Sequence, residues 1–173
     1  MKFSTCCFLL SAILSISVHG QVKDASQSLK GQANKMGAAF INEDYNTFAR
    51  YTYPLILKSM GGTSKMIDIL TSTTADMKTK GMTFTNISFD EPSKIVKSSK
   101  ELQATIAQHT EIKLPNEKLI STSTLIAIST DNGVNWTFID TSNKDIKTLR
   151  RALPNLSPLI NIPPQQQPTR SSN

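Results

Sequence analysis

Residues 101–140 read ELQATIAQHTEIKLPNEKLISTSTLIAISTDNGVNWTFID, and the alternation within them decides the fold. Apolar and polar side chains alternate along much of this stretch, the period of a strand. Two turn signals break the run, Pro115-Asn116 and Asn132-Gly133. Asn-Gly between alternating segments is the strongest short hairpin signal. If both dipeptides are two-residue loops, Thr110 faces Ser121, Gln108 faces Ser123 and Ile106 faces Leu125. Beyond the second loop, Ser129 faces Trp136, Ala127 faces Phe138 and Leu125 faces Asp140. Successive side chains point to opposite sides of a sheet, so these pairs sort three strands into two faces. One face is apolar, with Ile106, Leu125, Trp136 and Phe138, and carries a polar patch of Gln108, Ser121, Ser123 and Asp140. The other holds His109, Glu111, Lys113, Ile120, Ile126, Ile128 and Ile139. A three-residue loop at Pro115 would flip the first strand and turn His109 inward.

Period-two segments continue upstream in MTFTNISFD (82–90) and SKIVKS (93–98). Before residue 82 the period is helical. Val22, Ala25, Leu29, Ala33, Met36 and Phe40 form one stripe. NEDYNTFARYTYP reads as a short second helix with Tyr45, Phe48 and Ala49 inward, and Tyr53 before Pro54 ends it. Pro54 opens a third, closed by Gly61-Gly62. A fourth presents Met66, Leu70, Thr73 and Met77 on one face and stops at Lys78, Lys80 and Gly81. After the sheet, DIKTLRRALP suits a last helix packing Ile146, Leu149 and Leu153. Helices first and antiparallel strands second mean an α+β fold, N-terminal helices covering one face of the sheet. The central strands, each about 14 residues, exceed the usual length and are expected to bend or bulge. The sheet then forms a strongly bent cone with an open mouth. The domain spans residues 21–162, and residues 163–173, rich in Pro and Gln, are expected to be disordered.

The chain begins MKFSTCCFLLSAILSISVHG. A basic start, a short apolar run and small residues before Gln21 match a secretory signal over residues 1–20, cut after Gly20. The run is too short for a confident membrane span, so no span is expected after cleavage, and the location is secreted or periplasmic. Cleavage removes both cysteines, Cys6 and Cys7, and leaves His109 as the single histidine. Disulfides, thiolate nucleophiles and Cys- or multi-His metal sites are thereby excluded, and no cofactor is implied. The net charge of +6 is scattered, with one tight basic pair at Arg150-Arg151. Nucleic-acid binding, which needs a basic stripe with aromatic platforms, is not expected.

The helix pair around AAFINEDYNTFARYTYP, the strand pair STLIAISTDNGVNWTFIDTS and the ending FIDTSNKDIKTLRRALPNLSP resemble the nuclear transport factor 2-like (SnoaL-like) superfamily, including its secreted bacterial members. The resemblance covers residues 24–155 and implies a cystatin-like roll whose cone often holds a small molecule and whose outer sheet face often dimerises. Its members include isomerases, cyclases, dehydratases and many non-catalytic binders. This chain departs from the catalytic members in lacking a matched acid and base.

An apolar wall with a few convergent polar groups is what a small-molecule site looks like. The candidate ligand-binding residues are Tyr51, Gln108, Ser121, Ser123, Trp136, Phe138 and Asp140. Trp136 and Phe138 also serve simply as core. Asp140 reads in two ways. It can cap the turn that follows it, or it can be an inward carboxylate whose burial favours the neutral form and makes it a general base, with Tyr51, Tyr53 or Gln108 as donor. The outer strip of Ile120, Ile126, Ile128 and Ile139 is either covered by the last helix or tail, or buried in a homodimer. Three functions follow: an exported non-catalytic binding protein with an apolar cone for a small apolar or amphipathic molecule, or a sheet surface for a protein partner; an isomerase- or dehydratase-type enzyme using Asp140; or an interaction module whose cone is filled by Phe40, Phe48 and Tyr51.

Overall fold

The structure, a computed structural model, describes residues 18–142, 144 and 146–172, with side chains from Asp24 onward. The signal segment lies outside the described residues up to residue 17; Val18-His19-Gly20 begin the first helix, α1 (Val18–Ile41). Among the described residues no helix is long and apolar enough to cross a membrane.

Four helices precede the sheet. Within α1 the predicted stripe is buried at Ala25, Leu29, Ala33 and Met36. Two features of that stripe let the helix sit close to the strands. Ala25 and Ala33 are small, and a Cβ at Gly37 would stand 2.9 Å from both Ile87 Cγ2 and Phe89 Cε2. Asp44 starts α2 (Tyr45–Arg50) by accepting from the Thr47 backbone N–H at 3.0 Å, the standard use of a short acidic side chain at a helix start. Pro54 occupies the first turn of α3 (Pro54–Ser59). In α4 (Thr63–Thr79) the buried positions are Met66 and Thr74. Thr74, rather than the expected Thr73, turns inward because its hydroxyl meets the Tyr45 hydroxyl at 2.8 Å.

The strands are β1 (Thr83–Phe89), β2 (Val96–Ser98), β3 (Glu101–Lys113), β4 (Glu117–Ser129), β5 (Thr137–Asp140) and β6 (Thr169–Ser172). Among the described residues they form one six-stranded antiparallel open sheet ordered β1-β3-β4-β5, with β2 beside β1 on β3 and β6 beside β5 on β4. The fold is α+β, helices followed by sheet, as the change of period predicts.

Both hairpin registers follow from the two turns. Gln108 pairs with Ser123, Thr110 with Ser121, and Lys113 with Lys118. Leu125 pairs with Asp140 and Ala127 with Phe138. The β3–β4 ladder runs without a break. The irregularity sits in β1, where an extra residue at Thr85 lets both Phe84 and Ile87 face the helices. A bulge at a sheet edge re-aims side chains in this way. β5 is shorter than expected. The Asp131 carboxylate accepts from Ser129 Oγ (2.8 Å), Asn135 N (2.8 Å) and Asn135 Nδ2 (2.7 Å), while the Trp136 N–H goes to Gln32 Oε1 at 2.9 Å. These bonds replace ladder bonds, so residues 131–136 leave the sheet although the register persists.

Two apolar clusters flank the sheet. The inner one joins α1 to Ala104, Ile106, Leu125, Ala127, Trp136 and Phe138. The outer one joins Ile126, Ile128 and Ile139 to Leu149 of α5 (Ile146–Ala152) and to Leu153, Leu156 and Ile160. The dimer surface expected at Ile120, Ile126, Ile128 and Ile139 is therefore not a free face. Three of these isoleucines are at most 2% exposed beneath the chain's own C-terminal segment. Three polar residues hold that segment down, the first being Ser98, whose hydroxyl donates to the Asn155 carbonyl at 2.8 Å. Gln103, fully buried on β3, accepts from the Ser157 N–H at 2.9 Å and donates to the Asn155 carbonyl at 3.1 Å. Arg150 donates to the carbonyls of Leu156, Ser157, Pro158 and Ile160. The tail also departs from the expected disorder: Thr169–Ser172 pair with Glu117–Ile120 as β6.

Candidate functional site

The gap between the helices and the inner sheet face is a cavity of 440 Å³. Its apolar wall comes from Met36 and Phe40 of α1, Phe48 of α2, Ile56 of α3, and Met66 and Leu70 of α4, closed by Phe84, Ile87, Ile112, Leu125 and Phe138 of the sheet. Phe40 is the hub of this wall. Its ring meets Phe48, Phe84 and Tyr45 edge-on, with centroids 5.3, 5.0 and 5.8 Å away, a favourable arrangement for aromatic quadrupoles. The aromatic rings pack on one another and leave the space beside them open.

The polar side of the cavity is the predicted patch. Gln108, Ser121, Ser123, Phe138 and Asp140 all line it, joined by Thr110 and Ser142. The register explains this. Gln108–Ser123 and Thr110–Ser121 are cross-strand neighbours on the inner face. The Gln108 side-chain amide donates to Thr110 Oγ1 at 3.1 Å.

Two predicted residues lie elsewhere. Trp136 is 1% exposed, sits under α1 and donates its indole N–H to the Gly133 carbonyl at 3.0 Å, so it is core and does not line the cavity. Tyr51 packs against the inner cluster but is also absent from the cavity wall. The backbone explains its position. Its carbonyl accepts from the Phe138 N–H at 2.7 Å and the Tyr53 N–H donates to the Phe138 carbonyl at 3.0 Å, so residues 51–53 run along the free edge of β5. Tyr53 packs in the outer cluster, where burial first, and the charge of Glu101 second, push its phenol above the usual value. Neither tyrosine is placed to donate into the cavity.

Asp140 takes the capping role. It is exposed, and Oδ1 accepts from the Ser142 N–H at 2.8 Å and the Ser142 hydroxyl at 2.7 Å. The burial that would make it a general base is missing, so the acid–base reading loses its physical cause. What remains is a carboxylate at the edge of an apolar cavity.

His109 lies on the outer face, as the two-residue loop at Pro115 requires. Its Nε2 is hydrogen-bonded to Asp90 Oδ1 at 3.0 Å and its Nδ1 to Thr122 Oγ1 at 3.0 Å. This trio borders a second cavity of 490 Å³, whose other walls include Thr141, Lys144, Ile146, Ile162 and Pro163. Among the described residues no group of three or more His, Cys, Asp or Glu side chains could hold a metal ion.

Of the helix-borne wall, Phe40 and Phe48 were expected only as fillers of the cone, and Met36, Met66 and Leu70 only as inward stripes of α1 and α4; none was counted among the ligand-binding residues. Sequence reasoning also missed Asp90 and Thr122, whose approach to His109 depends on pairing across three strands. Compared with protein-family models, with curated proteins and with solved structures, the chain matches none.

Proposed function

We propose that this chain is an exported binding protein of nuclear transport factor 2-like architecture that carries a small amphipathic molecule between its helices and a cone-like inner sheet face, without transforming it. One observation carries the reading: a 440 Å³ cavity with an apolar wall on the helix side and Gln108, Thr110, Ser121 and Ser123 gathered on the strand side. Ligand sites share this division, apolar surface for affinity and a few polar groups for orientation. The signal-like first twenty residues support export. An isomerase-type mechanism is less favoured, because Asp140 is exposed and tied to Ser142 while Tyr51 and Tyr53 stand outside the cavity. A docking role for the outer sheet loses its support with Ile126, Ile128 and Ile139 covered.

The test is a fluorescence titration with N-phenyl-1-naphthylamine, a neutral apolar probe whose emission rises in dry surroundings. Wild type is expected to bind one equivalent saturably. Ser121→Phe and Leu70→Trp, which push bulk into the cavity, are expected to weaken binding at least tenfold while circular dichroism stays unchanged. No saturable binding, or binding indifferent to both substitutions, refutes the proposal.

A further inference from the structure

The charges around the inner cavity are one-sided. Among the described residues that line it, Asp140 is the single ionisable group, and none is Lys, Arg or His. The chain as a whole is basic, with net charge +6, so this local balance runs against the global one. We infer that the cavity selects amphipathic molecules with a cationic head, lipophilic amines in particular, over neutral or carboxylate analogues of the same length. This inference rests on the binding reading above and deepens it.

The geometry places head and tail. Asp140 ends β5 on the inner face, two residues beyond Phe138, and is exposed where Phe138 is buried. The carboxylate is thus at the mouth and the apolar wall is behind it. Oδ1 is held by the Ser142 N–H and hydroxyl, which fixes the group without neutralising its charge. Lys144 approaches Asp140 without forming an ion pair with its carboxylate. Its ammonium donates to the Asp140 backbone carbonyl at 3.1 Å, and among the described residues no basic group lies within ion-pair distance of the Asp140 carboxylate.

A ligand ammonium at the mouth would meet that carboxylate and the hydroxyls of Ser123 and Ser142 as acceptors, a charge-assisted arrangement stronger than its neutral counterpart. A fatty-acid carboxylate in the same pose would face Asp140, the single charged residue among those lining the cavity, and would be repelled by it. The alkyl tail enters among Phe40, Phe48, Met66 and Leu70, where the methionines adapt to its shape.

The experiment is competition of N-phenyl-1-naphthylamine by decylamine, decanol and decanoate, each below its micelle concentration, at pH 7 and low salt. The tails are matched, so the heads alone differ. Decylamine is expected to bind about tenfold more tightly than decanol, with decanoate weakest. Asp140→Asn is expected to abolish the preference for decylamine over decanol, and Asp140→Ser is expected to do the same. General attraction to the protein's net charge would favour decanoate, so an amine preference cannot arise from it. If the ligands bind equally, or decanoate binds best, the cationic selectivity is overturned while the binding reading stands. If the preference survives both Asp140 substitutions, the role of Asp140 is overturned. If the probe itself fails to bind saturably, the binding reading falls and this inference falls with it.

Discussion

Replacing Gln103 by Leu should detach the C-terminal segment from the sheet without hollowing the core. Gln103 is 0% exposed. Its side chain accepts from the Ser157 N–H and donates to the Asn155 carbonyl and to Glu101 Oε2. Leu has a similar volume, so the cavity contribution is small. The cost falls on what is left behind. Ser157 is 4% exposed, and its N–H would lose its acceptor where water cannot replace it, a penalty of about 1–3 kcal/mol. The Asn155 carbonyl is on an exposed residue and keeps the Ser98 hydroxyl as a donor at 2.8 Å, so its share of the loss is small. A net loss of about 2 kcal/mol follows, which for a domain of this size lowers Tm by roughly 4–8 °C. Urea unfolding followed by Trp136 emission measures it, since that one indole is buried and reports global unfolding. Hydrogen exchange should localise the effect to residues 153–160, which would lose protection while β3 and β4 keep theirs. A loss below about 0.5 kcal/mol, or one spread evenly over the sheet, would refute the idea that a buried amide clamps the tail.

Three further outcomes are expected. Arg150→Ala removes the donor to four carbonyls and should raise the rate of limited proteolysis between residues 153 and 162; an unchanged digestion pattern contradicts it. Gly133→Ala forces a non-glycine residue to φ +90° with its Cβ 2.7 Å from Ala25 Cβ, so a thermal melt should show a loss of about 2–4 kcal/mol from strain and overpacking; a loss below about 1 kcal/mol contradicts the close approach. Asp131 is held below the usual carboxylate range, first by the Asn135 backbone N–H, against burial that acts in the opposite sense. Its folded pKa lies below its unfolded one, so its stabilisation is complete above the unfolded value and fades as pH falls through the folded one. The stability gap between wild type and Asp131→Asn should therefore be constant near neutrality and close below about pH 4; a gap independent of pH contradicts the role of the charge.

The register of the central strands was legible because it depends on local chemistry. Two dipeptides, Pro115-Asn116 and Asn132-Gly133, set which residues of β3, β4 and β5 share a face, and the polar patch of Gln108, Ser121, Ser123 and Asp140 followed from that alone. The short β5 was not legible, since it depends on the Asp131 carboxylate and on Gln32 reaching across from α1. The covering of Ile126, Ile128 and Ile139 could be foreseen as one of two outcomes. What decides between them is contact between residues about fifty apart, Gln103 with Asn155 and Ser157, and no local pattern reports such a pairing. The order in residues 169–172 escaped for a similar reason. A polar tail without apolar periodicity can still add a strand to a free edge, because backbone groups make that bond. Asp140 was on the right face but at its rim, and strand alternation says which side a residue points to, not how deep it lies.

The proposed function requires that the inner cavity be open to an amphipathic ligand. Methionine-methyl NMR during a decylamine titration tests it most directly, because the methionines sample the molecule unevenly. Met36 and Met66 line the cavity, whereas Met60 and Met77 do not. Saturable shifts are expected at the Met36 and Met66 methyls, with Met60 and Met77 still. Shifts confined to Met60 or Met77, or none at saturating amine, would contradict it.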